Sequence, residues 1–389
     1  MLFRSRVGSM ALFVDLKSGF YTVVRELVMR LRTSADDLDR VLASLGTPKR
    51  LEGALAELLA QPSIVERYVR DGHLAALLSE AHTNTWFVVD GRREVARAVK
   101  GSRPGCCLAD FVFNVAFAPA LSEVRAALEE KGVLWAPPPA AALFAGEGAS
   151  CPSASDYTYA DDSCLCCVVR SNASVAGDVA ATCALVADVF MRRGMLVNWD
   201  RGKSAVVVEP RGAMSRVAKR DLFVTHGGRL ALPGWDAFVH LERSYVHLGS
   251  EVTVGGAMGP AVSSRLRAHA QAMAPLRRTV CPRRALSDRA KLVFVESLAT
   301  SRLCHSVGAW DGLTPRQIDK MQSALALGYR CALRLPHRDP TRDRHAVGEV
   351  MARAGLPGMT LRLSLARLRL LPSVLAGGAA SLLRTLDVL

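Results

Sequence analysis

Two neighbouring carboxylates, Asp161 and Asp162, stand in the stretch Thr158-Tyr159-Ala160-Asp161-Asp162-Ser163-Cys164, between apolar runs that read as strands joined by a tight turn. Like charges side by side need a compensating cation once they lose part of their hydration. Oxygen-only ligands suit Mg²⁺, which keeps several waters and takes one or two carboxylates together with substrate phosphates. A third carboxylate, Asp15, closes another apolar run, Met10-Ala11-Leu12-Phe13-Val14. If that run pairs beside the hairpin, the carboxylates of two adjacent strands can hold two metal ions about 3.5–4 Å apart, one activating a 3′-hydroxyl and one stabilising the departing pyrophosphate. That chemistry is nucleotidyl transfer. An Asp-Asp pair by itself is not specific, since Asp36-Asp37 stands at an expected helix start, where carboxylates favour the positive end of the dipole.

The elements that must position these groups are legible in the spacing of apolar residues. The run 10–14 reads as a short buried strand, followed by helical spacing over 21–32 and a helix capped by Ser34 that closes at Gly46. More helix is expected through residues 51 to 80. A hairpin follows around Asp90-Gly91, then a glycine-bearing loop that runs into a long, mostly buried helix ending near Gly132. Residues 137–152, rich in Pro, Ala and Gly, read as a linker. After the carboxylate hairpin come an amphipathic helix over 175–193, ending before Gly194, and the strand Ala205-Val206-Val207-Val208-Glu209. Past residue 260 the pattern turns helical, and Thr314-Pro315-Arg316-Gln317 carries the signature of a capping box. The expected class is α+β over 1–255, largely α over 256–389.

Charge is distributed unevenly. The chain has 389 residues, half of them apolar, and a net charge of +14; residues 261–389 hold 21 basic and 8 acidic side chains and so carry +13 of it. A surplus confined to one region, with pairs at Arg277-Arg278 and Arg283-Arg284, fits either a solvated helical face or a surface that meets phosphate backbones. Ten scattered cysteines in a long chain read as reduced thiols. Cys164 and Cys167 form a C-x-x-C on an expected strand, where positions three apart face opposite sides, so they read as small buried residues and not as a zinc site. Trp310 is expected in the core. The apolar runs near both ends are too short to span a bilayer, and no membrane partner is expected.

Five ordered blocks carry a resemblance to a known family. LFVDLKSGFY, SRPGCCLADFVFN, YADD, RRGMLVNWDRGKSAVVV and SYVHLGSEV resemble, in order, motifs A to E of the reverse transcriptase domain of non-LTR (LINE-like) retrotransposons. The resemblance spans roughly residues 10 to 255. In the second block Arg103, Gly105, Cys106, Leu108, Phe113 and Asn114 match the family pattern, whereas Pro104 and Ala109-Asp110 there, and Gly19 in the first block, depart from it.

The resemblance implies a right-hand polymerase fold: a palm of antiparallel sheet packed on helices, with partial fingers, over 1–255, and a basic helical thumb with a C-terminal extension over 256–389. It implies an RNA-directed DNA polymerase that uses Mg²⁺ or Mn²⁺, an RNA template, a DNA primer and dNTPs, acting inside the cell in the nucleus. The implied metal ligands are Asp15, the Leu16 carbonyl, Asp161 and Asp162, with Lys203 as general acid for the departing pyrophosphate. Phe20, Arg103, Gly105 and Asn198 are implied at the nucleotide and template, and His247, Leu248 and Gly249 at the primer grip. Only 14 residues precede Asp15, so the fingers are expected to be largely missing. Two outcomes stay open at this point: a working polymerase domain, or a truncated, inactive remnant that still binds nucleic acid.

Overall fold

Six consecutive buried residues, Ser9–Val14, form strand β1. The computed structural model describes residues 8–17, 28, 39, 42–43, 46–82, 86–88, 90–91, 94–97, 107–135, 156–310, 312–335 and 346–377. Phe20, Arg103, Gly105, the helical pattern over 21–32, most of the segment capped by Ser34 and the linker 137–152 lie outside these residues. A strand buried on both faces belongs in the middle of a sheet, and β1 has a partner on each side. Strands β2 (Trp86–Val88) and β3 (Val95–Arg97) form a separate hairpin. Strands β4 (Asp156–Tyr159), β5 (Asp162–Val168), β6 (Ala205–Glu209), β7 (Arg229–Ala231) and β8 (Phe238–Glu242) join β1 in the order β4-β5-β1-β6-β8-β7.

Register follows from the turns. The β4–β5 hairpin pairs Tyr159 with Asp162 across a two-residue turn, and β5 runs antiparallel to β1 from Val14↔Ser163 to Ser9↔Val168. On its other side β1 is antiparallel to β6. One expectation needs correcting here: the sheet is mixed, because β6 and β8 run parallel. A parallel pair requires a crossover of a dozen or more residues. The chain supplies it between Glu209 and Phe238 through helix Ser215–Arg220, a π-turn over Asp221–Thr225 and β7.

Two helices cover one face of the sheet. In chain order the helices used below are α1 (Lys49–Ala60), α2 (Cys107–Glu130), α3 (Val175–Arg192), α4 (Gly259–Thr279), α5 (Asp288–Val295), α6 (Pro315–Leu333) and α7 (Met359–Gly377). Alternate residues of the strands, Met10, Leu12, Val14, Leu165, Cys167, Val206 and Val208, share a core with Phe113, Phe117 and Leu128 of α2 and Val179, Val186 and Phe190 of α3. A stack within α2, Phe113 on Phe117 at 5.2 Å, continues to α3 through Phe117 on Phe190 at 5.8 Å. Arg50 of α1 grips Asp188 of α3 with two hydrogen bonds of 2.7 and 2.6 Å, while the Trp235 indole N–H donates to the same carboxylate at 2.7 Å. Cys164, Cys166 and Cys167 are buried free thiols, as the strand reading anticipated.

The chain divides into two compact units, and the division falls between Tyr245 and Val246. Strands β9 (Ser244–His247) and β10 (Ser250–Thr253) form a hairpin at that junction. The second unit is helical after this hairpin. Its core gathers Met273, Val295, Leu303, Met321, Leu325, Tyr329 and Met359, with Trp310 buried among them. α6 begins at the expected capping box: Thr314 Oγ1 accepts from Gln317 N at 3.3 Å, and Gln317 Oε1 accepts from Thr314 N at 2.8 Å. Among the described residues no helix is long and apolar enough to cross a membrane.

Candidate functional site

Asp15 follows the last residue of β1, and Asp162 opens β5, so the two stand one step beyond the Val14↔Ser163 pair on adjacent strands. Asp161 occupies the turn before Asp162. Its neighbour Ala160 has φ of 54°, a left-handed value that costs a residue with a Cβ roughly 1–2 kcal/mol. Backbone strain of this kind concentrates at functional turns. The hairpin is braced from behind, where Arg125 of α2 donates to both oxygens of Asp156 at 2.6 and 2.8 Å. Within it, the hydroxyls of Thr158 and Ser163 bond across the strands at 3.0 Å.

A loop between α3 and β6 wraps the third carboxylate. Lys17 N donates to Leu196 O at 2.7 Å and Asn198 N to Asp15 O at 2.8 Å, while Leu16, itself buried, bridges Val197. Gly202, at φ of 81°, lets the loop turn back. Ser204, fully buried, then accepts from Asp15 N at 3.0 Å and donates to Asp15 O at 3.2 Å. The turn leaves two side chains on the Asp15 carboxylate: Asn198 Nδ2 donates to Oδ2 at 3.1 Å, and Lys203 Nζ stands 3.6 Å from Oδ1. Lys203 is 51% exposed and Asp15 19%, so the cation comes from the solvent side.

The electrostatics join all four groups. Burial raises the Asp161 carboxyl above the usual range; its own backbone amide pulls it back, Asp162 and Asp15 push it up further, and Lys203 lowers it. A carboxyl held up by two carboxylate neighbours belongs to a donor set that a divalent cation would relieve. Among the described residues, no three His, Cys, Asp or Glu side chains stand at the spacing of an assembled metal cage. The charge partner of Asp15 in this structure is Lys203. Tyr245 lies against the site, its ring stacked on Phe13 at 4.3 Å, and its hydroxyl is pushed up to about 12 by burial first and by Asp15 and Asp162 next.

The structure therefore brings Asp15, Leu16, Asp161, Asp162, Asn198 and Lys203 to one end of the sheet. His247, Leu248 and Gly249 instead sit at the β9–β10 turn, where Leu248 (φ 48°) and Gly249 (φ 74°) both adopt left-handed backbone, the pattern of a type I′ hairpin. Within the second unit Arg265 donates to Gly249 O, and the His305 ring lies 3.3 Å from where a Cβ on Gly249 would be. The residues missed by sequence reasoning are Ser204, Tyr245 and the Arg125–Asp156 brace. Lys203-Ser204 beside a buried strand was a signal for the first; no local pattern marks the other two.

The positive charge of the second unit is borne on its surface. Arg277 and Arg278 end α4, Arg283 and Arg284 follow it, all four are exposed, and none is ion-paired among the described residues. Arg334 donates to Arg283 O at 3.5 Å, which adds a fifth cation to the cluster. Compared with models of known protein families and with curated proteins, the sequence matches none.

Proposed function

We propose that the chain carries the palm and thumb of an RNA-directed DNA polymerase of the non-LTR retrotransposon kind, transferring nucleotides from dNTPs to a primer 3′-hydroxyl on an RNA template. The observation that carries this reading is the meeting of Asp15, Asp161, Asp162 and Lys203 at one end of one sheet, from three stretches far apart in sequence. Asp15, Asp161, Asp162 and the Leu16 carbonyl would hold Mg²⁺ or Mn²⁺, which when bound supplies charge stabilisation at the attacking and leaving oxygens.

The protein's own groups have separable tasks in this reading. Ser204 and Asn198 fix the backbone and the carboxylate of Asp15, so that its oxygens are aimed before substrate arrives. Lys203, beside Asp15 and open to solvent, is placed to return a proton to the departing pyrophosphate. Phe20 would screen the sugar 2′ position, Arg103 and Gly105 would meet nucleotide and template, and the His247–Gly249 turn would grip the primer. The arginine cluster would follow phosphates with little regard to sequence. Priming at chromosomal DNA would place the work in the nucleus.

A second reading, a nucleic-acid-binding remnant without catalysis, draws on the engagement of both Asp15 oxygens by Asn198 and Lys203. Primer extension on a primed RNA template, with Mg²⁺ and separately with Mn²⁺, decides between them. Extension by the chain that disappears in Asp161→Ala supports the polymerase. No extension by either, with salt-sensitive RNA binding intact in both, leaves the remnant.

A further inference from the structure

Phe13 is the last residue of β1 with a partner strand on both sides. It stands between Cys164 of β5 and Ala205 of β6, and beyond it the ladder to β6 stops. Side chains two apart on a strand share a face, so its buried ring lies on the side to which the alternation carries Asp15, opposite the face that Met10, Leu12 and Val14 turn to α2 and α3. The cross-strand neighbours are small, and a second ring lies over the first: that of Tyr245 on β9, with centroids 4.3 Å apart and planes 15° from parallel. Tyr245 closes the first compact unit, so the stack belongs to the unit that holds the carboxylates.

This stack supports Asp15 from a different direction than the loop does. Asn198 and Ser204 hold the aspartate from the segment after α3; the Phe13 ring anchors the strand end that delivers it. A buried ring packed under another cannot shift without opening a void. Two residues further on, a lateral movement of β1 would carry the Asp15 carboxylate away from Asp162. Asp15 and Asp162 both act on the Tyr245 hydroxyl, so the ring reaches the corner between them. Carboxylates that share a cation must be held to within about 0.5 Å of productive geometry, and the groups that orient the ligands set much of the metal affinity.

We propose that Tyr245 is a positioning residue for the metal site: by stacking on Phe13 it fixes the end of β1 and so the separation of Asp15 from the Asp161–Asp162 turn. The inference rests on the reading of these carboxylates as metal ligands and deepens it.

The test reads metal binding without turnover, by titrating the intact chain with Mn²⁺ and following the free-ion signal in electron paramagnetic resonance. Binding at the site is the part lost in Asp161→Ala. Tyr245→Leu, which keeps apolar bulk but no ring, should weaken it about ten-fold, whereas Tyr245→Phe, which keeps the ring, should bind as the parent does. Phe13→Leu should give the same loss, and the two leucine substitutions together no more than either alone, against the roughly hundred-fold of independent effects. Urea midpoints identify the variants that are folded during the titration, and either single leucine variant suffices. Parental Mn²⁺ affinity in a folded Tyr245→Leu or Phe13→Leu overturns the proposal and leaves the metal site in place. So does a loss in Tyr245→Phe as large as in Tyr245→Leu, which would assign the effect to the hydroxyl, or losses that multiply in the double variant. A parent chain whose Mn²⁺ binding is insensitive to Asp161→Ala overturns the metal-site reading and this inference with it.

Discussion

Lys203 Nζ stands 3.6 Å from Asp15 Oδ1, reaching back over the loop that Asn198 and Ser204 pin to the same aspartate. The Lys203 ammonium thus offsets a corner where Asp162 and Asp15 hold the Asp161 carboxyl up. In the proposed reaction it has a second task, so the two can be separated. Lys203→Arg keeps the charge beside Asp15 but is a poor acid; Lys203→Ala removes both. Both variants should lower kcat about 10²-fold, while only Lys203→Ala should alter metal dependence. A kcat for Lys203→Arg equal to that of the parent would remove the proton-transfer role.

Asp161 carries a carboxyl that folding makes harder to ionise. For a carboxyl whose folded pKa lies above its unfolded one, the folded state binds the extra proton; stability therefore falls as pH rises between the two values, and the cost is fully present above the folded pKa. Asp161→Asn removes that cost. Without divalent metal its melting temperature at pH 7 should exceed that of the parent chain, with the gap narrowing as pH falls into the carboxylate range. Addition of Mg²⁺ should stabilise the parent and not the variant. A melting temperature lowered at pH 7 by Asp161→Asn would contradict this account.

Leu248 holds φ of 48° at an exposed turn. Asparagine adopts that conformation with less strain. Leu248→Asn should stabilise the chain by about 0.5–1 kcal/mol in urea unfolding, and if Leu248 meets the primer, the same variant should bind primed template more weakly. A gain in stability with binding unchanged would leave the leucine without a part in primer contact.

The arginines at and just after the end of α4 are exposed and, among the described residues, form no ion pair. Removing Arg283 and Arg284 together should reduce the slope of log K against log salt by roughly 1.5 if each meets one phosphate. The relative affinities of unrelated sequences should stay as they were. An unchanged slope would move the phosphate-binding surface elsewhere.

Much of the carboxylate site could be read from the sequence because its parts are locally periodic. β1, the β4–β5 hairpin, α3 and β6 each announce themselves by apolar spacing and turn residues, and the Asp15–Asp162 proximity follows once β1 is laid beside the hairpin. β7 and β8 escaped because they are three and five residues long and sit among Gly227-Gly228 and Pro233-Gly234, which read as loop. The parallel β6–β8 pairing joins segments that share no local signal. Ser204 on the Asp15 backbone and Tyr245 on Phe13 are likewise products of three-dimensional closure.

The strands at the two ends of the sheet, β4 and β7, are four and three residues long among the described residues; the first begins at Asp156 and leads into the turn that holds Asp161, while the second begins at Arg229. Short, charge-tipped edges are poor templates for another chain's backbone. The carboxylate turn beside β4 thus guards that edge: a substitution that neutralises both Asp161 and Asp162 would remove the charge at its tip and open a path to sheet-to-sheet aggregation at high protein concentration.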